Sequence, residues 1–532
     1  MTRKKHSGTV RTVKPSSARG SGADAGKSPN NGKRKRALTP ATVYAAGFLL
    51  TYWFCALTMG DVFARAEQES FFTFDAMPMK YVLDQPLGHF WWGSRFLLLV
   101  YKSKWAGALC LSLLLTLTAW LFDRALRMPR LAGLGFLFVV AQLGWFAFLG
   151  TNVYHKNEPG IVFGLPVAVL FAVVVAACLS ALARRGQSTP AGKPFAPLCG
   201  GLAALFVALI AVTAHFDRNQ ILTARLQLMM QEGRWEEMAD EAVAAKRPTR
   251  AVAAYGAIGM LQRGELAARI FDITFDYPDP RLFKFDGNEE QAIFVADCNF
   301  HAGLVQAAYH HDLEQTVMNG PSVYRYKRMA LSAVLMGEEK LARRYFDLLE
   351  KVPFERTFVE KYRPMNGNPE LAAKDSELAV VMSLRPAETG KFEQNYRQPA
   401  FLGYNIGLMQ GTDASLITSA VACLYSKDLP RFAQRAEVMV QKGLPLPATF
   451  SQALQILAMK DPQAKQFFGQ YISQFTAAEL SRFVQQARPV MHDKAEMRRV
   501  MKENWLGTYY YYYYCENNDP HQTRQTETDG VN

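Results

Sequence analysis

Three carboxylates lie close together in the segment that follows the first apolar run of the chain: Asp61, Glu67 and Glu69. Carboxylates in such a cluster have two chemical uses, because one can deprotonate an acceptor hydroxyl while the others hold a divalent cation. The nearest approach to a paired motif is Glu67-Gln68-Glu69, and Arg65 offers a simple ion partner. We therefore prefer a solvated loop as the interpretation of this segment and keep a catalytic carboxylate cluster as the alternative.

A second group of potentially reactive side chains lies further along the chain. Cys298 and His301 are one helical turn apart, and His310 and His311 follow within 14 residues of Cys298. A structural zinc site needs a second pair of ligands at suitable spacing, and none is present. The seven cysteines include no Cys-x-x-Cys pair. The sequence therefore predicts no metal site and no cofactor, and it contains no Walker loop, dinucleotide fingerprint, nucleophile elbow or kinase signature.

The carboxylate cluster lies in a part of the chain that is dominated by long apolar segments. A membrane-spanning helix needs about 20 apolar residues, because the hydrocarbon core is about 30 Å thick. Five stretches without Asp, Glu, Lys or Arg fit or nearly fit this length: 41–59, 106–122, 131–149, 161–182 and 195–214. They predict a transmembrane domain over 38–215. The stretch 89–101 is short and carries Arg95, so we expect an interfacial helix there.

The distribution of charge predicts the orientation of these spans. Residues 1–36 hold eleven Lys and Arg against one Asp, so they carry +10 of the net charge of +13. We expect a disordered, basic, cytoplasmic tail over 1–37 whose partners are anionic lipid headgroups, not nucleic acid. The cations between the second and third spans, and between the fourth and fifth, agree with this side. The chain is thus expected in the cytoplasmic (inner) membrane, with everything after the fifth span extracytoplasmic.

The alternative that the first span is a cleaved signal peptide rests on Ala64-Arg65-Ala66, which resembles a signal-peptidase site. The basic region before that span would be unusually long for a signal peptide. We therefore expect the first span to be retained.

The residues that follow the last span predict a water-soluble, all-helical domain over 216–515. An apolar helix end, a turn and a second helix that opens with acidic residues recur, with turn glycines at Gly233, Gly264 and Gly337. The clearest copy places the small Ala342 five residues after its glycine and the aromatic Phe346 four residues later, and Ala433 takes the small position in another copy. This pattern resembles the tetratricopeptide repeat. The fold class predicted for the whole chain is therefore all-α, with a polytopic transmembrane helix bundle followed by a tetratricopeptide-like α-solenoid.

An aromatic segment ends this domain. It consists of Trp505 and an uninterrupted run of six tyrosines, namely Tyr509, Tyr510, Tyr511, Tyr512, Tyr513 and Tyr514. We expect the segment to cap the last repeat or to meet the membrane interface, with a sugar- or peptide-binding platform as a further possibility. The polar residues 516–532 are expected to be disordered.

The arrangement of a multi-spanning half, a repeat-like half and the Trp505/Tyr509–Tyr514 ending resembles an uncharacterised family of bacterial membrane proteins of the Bacteroidetes type. The resemblance covers nearly the whole chain after the basic tail and implies no known activity. Solenoid surfaces bind proteins more often than they catalyse reactions. We therefore expect a membrane-anchored interaction scaffold with an unidentified protein partner. The alternative is a membrane glycosyltransferase-like enzyme that acts on a lipid-linked sugar, since enzymes of that kind carry acidic residues in the first external loop.

Overall fold

The computed structural model describes residues 39–126, 131–183, 194–216, 218–275, 287–386, 402, 412–472 and 474–516. Within this part of the chain all regular structure is helical, and no strand occurs. The first nine α-helices are α1 Pro40–Trp53, α2 Gly60–Glu69, α3 Ala76–Leu83, α4 Gly88–Leu98, α5 Lys104–Leu126, α6 Phe136–Leu149, α7 Asn152–His155, α8 Ile161–Ala183 and α9 Ala196–Phe216. The predicted basic tail 1–37 lies outside the described residues.

The remaining helices form the second half of the chain. The first group is α10 Arg218–Gln231, α11 Trp235–Ala244, α12 Arg250–Gln262, α13 Leu266–Arg269, α14 Gly287–His301, α15 Val305–Asn319, α16 Val323–Met336, α17 Glu339–Glu350, α18 Arg356–Tyr362, α19 Pro369–Ala372 and α20 Ser376–Leu384. The second group is α21 Asp413–Tyr425, α22 Leu429–Gln441, α23 Ala448–Lys460, α24 Pro462–Phe468, α25 Gln474–Ala487, α26 Lys494–Trp505 and α27 Tyr509–Cys515.

Asp123 holds together several helix ends at one side of the apolar bundle. The hydroxyl of Tyr44 on α1 donates to its carboxylate at 2.7 Å, and the backbone N–H groups of Gly133 and Gly135 donate at 2.6 and 2.8 Å. The beginning of α9 lies at the same side, because the Cys199 thiol contacts the carbonyl of Ala132 at 3.8 Å. The start of α1, the end of α5 and the starts of α6 and α9 therefore meet here.

The opposite ends of these helices meet at the other side of the bundle. Lys104 at the start of α5 forms a 2.8 Å ion pair with Asp61, just after α1. Phe63 packs edge-on against Phe146 near the end of α6, with ring centroids 5.4 Å apart. Gln220, which follows α9, accepts a hydrogen bond from the backbone N–H of Thr151 at 3.1 Å. Each of α1, α5, α6 and α9 thus runs from one side of the bundle to the other.

Four helical segments among the described residues are long and apolar enough to cross a membrane: Pro40–Thr58, Lys104–Leu126, Ile161–Leu182 and Ala196–Phe216. They coincide with four of the five predicted spans. The third predicted span, 131–149, differs, because its α-helix covers only Phe136–Leu149 and residues 131–135 form turns. Fourteen residues rise only about 21 Å, which is less than the thickness of a hydrocarbon core.

The predicted interfacial helix 89–101 corresponds to α4 and the 3₁₀ turn Leu99–Lys102. Its only charged residue before that turn, Arg95, is buried and pairs with Glu158, with Nε 2.5 Å from Oε1. The same guanidinium donates to the carbonyl of Phe71 at 3.1 Å. The helix packs against α3 and α8 and is too short to span.

The helices of the second half pack in sequence as far as α17, with α12 at the centre. Every residue of α12 from Ala251 to Leu261 is buried, because α10, α11 and α14 surround it. The chain then folds back: α21 and α23 pack on α13, and the hydroxyl of Thr449 donates to the carbonyl of Ala267 at 2.7 Å. A single open stack along 216–515 therefore does not describe this region.

The predicted turn glycines occupy the left-handed conformation that ends a helix. Gly233, Gly264 and Gly337 have φ of 69°, 71° and 79°. In each turn, the residue after the glycine donates its backbone N–H to the carbonyl four residues before the glycine. This bond satisfies a carbonyl that would otherwise be unpaired at the end of the helix. Of the predicted packing residues, Ala342 and Phe346 are fully buried, and Ala433 packs partly buried against the core.

The tyrosine run forms a short helix in the centre of the C-terminal core. Tyr509 to Tyr512 are at most 1 % exposed, and Trp505 is buried as well. Phe271 packs against Tyr512 and Tyr509 with ring centroids 4.7 and 5.1 Å apart. Tyr513 and Tyr514 are partly buried against the same core. These rings close the core, so the four inner tyrosines offer no accessible platform to a ligand.

Candidate functional site

Helix α2 lies between the apolar bundle and the second half of the chain, and its residues from Gly60 to Glu67 are all buried. It packs on α5 and α7 on one side and on α10 and α16 on the other. Asp61, Arg65 and Glu69 follow each other at a spacing of four, which places them along one face of the helix. This face meets α10 and α16, and the described residues from Thr39 to Glu516 form one compact unit.

Arg65 is the centre of this junction and is only 1 % exposed. Its guanidinium lies 2.5 Å from Glu69 Oε1 and donates through Nε to Gln227 Oε1 at 3.1 Å. The guanidinium carbon also stacks 3.9 Å from the ring centroid of Tyr324 on α16. Burying a guanidinium in this way is tolerated only when its charge and its donors are satisfied, and these contacts satisfy both.

Arg328 forms the second half of the junction. Its Nε donates to Asp312 Oδ2 at 2.7 Å, and its remaining nitrogens contact Asp312 and Asp297. Its guanidinium carbon lies 4.7 Å from the ring centroid of Tyr324. The Tyr324 ring therefore lies between two guanidinium groups, and its hydroxyl donates to Asp297.

Hydrogen bonds join the two halves. Gln227 donates to the hydroxyl of Tyr255 at 2.8 Å, and that hydroxyl donates to Asp297 at 2.8 Å. The hydroxyl of Tyr154, on the short helix α7, donates to Gln227 at 2.9 Å. We call the connected set the junction network. Its members are Arg65, Glu69, Tyr154, Gln227, Tyr255, Asp297, Asp312, Tyr324, Arg325 and Arg328.

The charges of the junction network balance, with three arginines and three carboxylates. Burial favours the neutral form of Glu69, but Arg65, Arg325 and the Ser322 hydroxyl lower its pKa below the usual value. Burial raises the pKa of Asp312 despite its bonds to Arg328. Such a balanced, hydrogen-bonded set is costly to break, because removing one partner leaves a buried charge uncompensated.

The network surrounds a small polar cavity of about 30 Å³, which is also lined by His155, His311 and Gln315. That volume is sufficient for ordered water. Burial lowers the pKa of His311 to about 4, so the imidazole is neutral near pH 7. A space of this size cannot admit a sugar or a peptide. The network therefore acts chemically as a rigid polar joint between the two halves of the chain.

Asp61, the first of the three predicted carboxylates, is buried beside the junction and is held by two cations. Its Oδ1 lies 2.8 Å from Lys104 Nζ, and its Oδ2 lies 3.1 Å from Arg225 Nε. Glu69, the third, belongs to the junction network. Both carboxylates therefore have ion partners that hold them in place.

Glu67, the second predicted carboxylate, is on a different face of α2 from Asp61 and Glu69. It is buried near a cluster in which Lys102 and Lys327 both pair with Glu355. Burial raises the pKa of Glu67 to about 7; nearby Lys102 opposes this rise, and Glu355 adds to it. The three carboxylates thus belong to three separate charge clusters and do not converge on one cavity.

The histidine and cysteine group does not assemble a metal site. Cys298 and His301 are buried on α14, and His301 Nδ1 is 2.9 Å from the amide of Gln262. Burial lowers the pKa of His301 to about 4. Among the residues that the structure describes, no three His, Cys, Asp or Glu side chains are grouped so that they could hold a metal ion.

Most members of the junction network escaped the sequence analysis. Asp297 offered the clearest signal, since it is a lone acid in the apolar run Ala292–Cys298. Tyr324 and Arg328 are spaced by four on α16 and share a face. However, the carboxylates that pair with Arg328 lie 16 and 31 residues before it, and Gln227 lies 162 residues after Arg65. No local pattern connects these more distant partners.

One family model matches the chain. It is described as a family of unknown function (DUF6057), and it matches residues 35–223 and 148–516. No curated protein and no solved structure matches the chain.

Proposed function

The chain therefore belongs to this family of unknown function, and from that premise we propose that it is a membrane-anchored scaffold whose helical domain binds a protein partner. The single observation that carries this proposal is the distribution of exposed apolar side chains. Of the eleven large apolar side chains exposed among the described residues after α9, seven fall within residues 459–506. They are Met459, Phe467, Tyr471, Val484, Met491, Val500 and Leu506. We call these residues the C-terminal apolar set.

The proposal takes these seven side chains, which are close together along the chain, to form one surface patch. A contiguous exposed apolar patch is typical of interaction surfaces, because water-exposed apolar area is costly unless a partner covers it. The stretch 355–458 contributes no exposed large apolar side chain among its described residues. The junction network supports the proposal as well. A scaffold must present its binding surface at a defined position relative to the membrane, and a buried, balanced network holds the helical domain in one orientation.

The finer architecture and the sidedness are parts of the same proposal. The helix pairs from α10 to α17 are interpreted as divergent tetratricopeptide-like repeats, on the strength of their turn glycines. The bundle is interpreted as five crossings, with α6 as the short third, because contacts at both of its ends match those of its neighbours. With five crossings and a cytoplasmic basic tail, the proposal is that the helical domain lies on the extracytoplasmic side of the inner membrane.

The alternative of a membrane enzyme acting on a lipid-linked sugar receives no geometric support. A general base and a metal-binding carboxylate would have to converge on one space. Asp61 and Glu69 are instead paired with cations, and Glu67 belongs to a third cluster.

The proposal is tested by photo-crosslinking of the full chain in its native membrane, with a photoreactive residue at Leu506. In the double variant Val484→Asp and Met491→Asp, we expect the partner adduct to disappear while the protein level is unchanged. The matched control is Leu313→Asp and Val317→Asp, which alters two exposed apolar residues outside the C-terminal apolar set. If the adduct persists in the first variant, or is lost equally in the control, the proposed partner surface is wrong.

A further inference from the structure

A half-open groove of about 620 Å³ lies where the ends of α1 and α9 meet α10 and α11. Its walls change in character from one end to the other. Trp53, Leu57 and Ile210 line the end formed by the apolar helices. Arg218, Arg225 and Glu241 line the end formed by the helical domain. The groove is thus apolar at the bundle and, with two arginines against one glutamate, carries a net positive charge at the helical domain.

The apolar end is shaped by the π-helical turn Phe54–Thr58 that follows α1. Such wide turns are rare in proteins as a whole, but those that do occur are often found at functional sites. Phe54, Cys55 and Ala56 point into the core, while Leu57 remains 46 % exposed and Trp53 53 %. The exposed surface of this end continues along the outer faces of α1 and α9, where a bilayer would contact the protein.

The end of the groove at the helical domain carries positive charge that ion pairs with described residues do not neutralise. Arg225 is already paired with Asp61 and Glu241. Arg218, by contrast, is exposed and has no ion pair with any described residue. Lys246 and Arg247 are exposed on the loop that follows α11. This loop lies beside Arg218, because the side-chain amide of the neighbouring Asn219 donates to the carbonyl of Arg247 at 2.8 Å.

We propose that this groove binds one anionic phospholipid of the surrounding bilayer, with its phosphate at Arg218 and Arg247 and an acyl chain along Trp53 and Leu57. Cations at the polar end complement a phosphate, and apolar walls continuous with the lipid-facing surface complement a chain. The volume falls in the range of small-molecule sites and accommodates a headgroup with the first part of its chains. The site is independent of any protein partner and goes beyond the proposed scaffold function.

A soluble peptide is a poorer match for the same groove, because the apolar end opens towards the bilayer. A free phosphate ion would use only the cationic end and would leave Trp53 and Leu57 without a role. The test must therefore separate the lipid from inorganic phosphate and from an uncharged headgroup.

The experiment is native mass spectrometry of the detergent-purified full chain with phosphatidylglycerol or phosphatidylcholine added. We expect one tightly held phosphatidylglycerol and weaker phosphatidylcholine. The double variant Arg218→Gln and Arg247→Gln should weaken phosphatidylglycerol binding about tenfold or more, since each cation near a lipid surface strengthens binding about fivefold. The matched control Arg343→Gln and Arg344→Gln, which removes two exposed cations of α17, should bind as the unaltered protein does.

A second variant keeps the test decisive if the charge variant folds poorly. Ala214→Phe fills the groove from α9 without altering any charge and should also reduce the bound phosphatidylglycerol. Size-exclusion profiles and thermal stability serve as the folding control. The proposal is overturned if both folded variants retain phosphatidylglycerol like the unaltered protein, if phosphatidylcholine binds equally well, or if excess inorganic phosphate displaces the lipid.

Discussion

Arg65 shows how much one side chain contributes to the arrangement of this protein. It is nearly inaccessible to water, yet it carries a full charge that Glu69, Gln227 and the Tyr324 ring together satisfy. Two of these partners belong to the helical domain. A side chain on the first element after α1 is therefore part of the core of a domain that begins more than 150 residues later.

Glu67 leads to the first prediction, which concerns pH. Burial raises its pKa in the folded chain from the ordinary 4.5 to about 7, so the folded state holds the proton more tightly than the unfolded state does. The stabilising effect of this bound proton on the folded state is complete below pH 4.5 and is lost as the pH rises through 7. The variant Glu67→Gln has no proton to lose at this position, so its stability does not fall in this way. The variant should lie within about 1 kcal/mol of the unaltered protein at pH 5 and should exceed it at pH 8 by at most about 3 kcal/mol.

The measurement for Glu67→Gln is the thermal unfolding of the purified protein at both pH values. Unfolding rates serve if the transition is irreversible. Glu360→Gln is the control, because Glu360 is 63 % exposed and pairs only with Arg356 among the described residues. A difference that is the same at pH 5 and pH 8 would argue against a raised pKa at Glu67.

At the scale of the elements, the same helix-ending turn recurs throughout the helical domain. Besides the three predicted glycines, Gly303 takes it with φ of 82°, and Lys427 takes it with φ of 53° at a position without glycine. The turn at Gly303 was not predicted, because the residues that follow it, Leu304 to Ala308, include no acidic residue like those that open the second helix in the other copies. The sequence thus revealed the copies with an apolar helix end and a recognisable second helix, including the turn at Lys427 that precedes Ala433, and it missed the turn at Gly303.

Two of these glycines give the second prediction. A Cβ on Gly337 would meet nothing within 4 Å, so Gly337→Ala should cost only the strain of its positive φ, about 1 kcal/mol. A Cβ on Gly303 would come within 2.6 Å of the Leu384 backbone, so Gly303→Ala must also displace the end of α20. We expect an additional cost of about 1–3 kcal/mol. Equal melting temperatures for the two variants would contradict this close approach.

At the scale of the whole molecule, the number of crossings determines where the helical domain lies. Four long apolar helices alone would return the chain to the side of its N-terminal tail. Counting α6 as a fifth crossing places the domain opposite that tail. The contacts of Asp123 at one end of α6 and of Phe146 at the other are the basis for counting it.

The third prediction tests this count with reporter fusions in intact cells. An alkaline phosphatase fused after residue 516 should be active, and the same enzyme fused after residue 187 should be inactive, because that point follows four crossings. Green fluorescent protein at the two positions provides the matched comparison and should give the reverse pattern. Fluorescence from the fusion after residue 516 would show that α6 does not cross, and the extracytoplasmic assignment would fail.

In this protein, the features that the sequence predicts are those that depend on neighbouring residues along the chain. Apolar length predicted four long apolar helices at nearly the observed boundaries. Turn glycines predicted where helix pairs bend, because left-handed φ, like the length of an apolar run, is a local property. The sequence also placed Asp61, Glu67 and Glu69 together, since they share one short segment.

Tertiary structure alone decided what those carboxylates do, because the direction of a side chain around α2 has meaning only once the neighbouring helices are in place. Asp61, Glu67 and Glu69 separated into three clusters for that reason. The tyrosine run became a core helix because Phe271, more than 200 residues earlier, packs against it. Charge pairing and burial join segments that are distant along the chain, so the junction between the apolar bundle and the helical domain emerged only from the packed molecule.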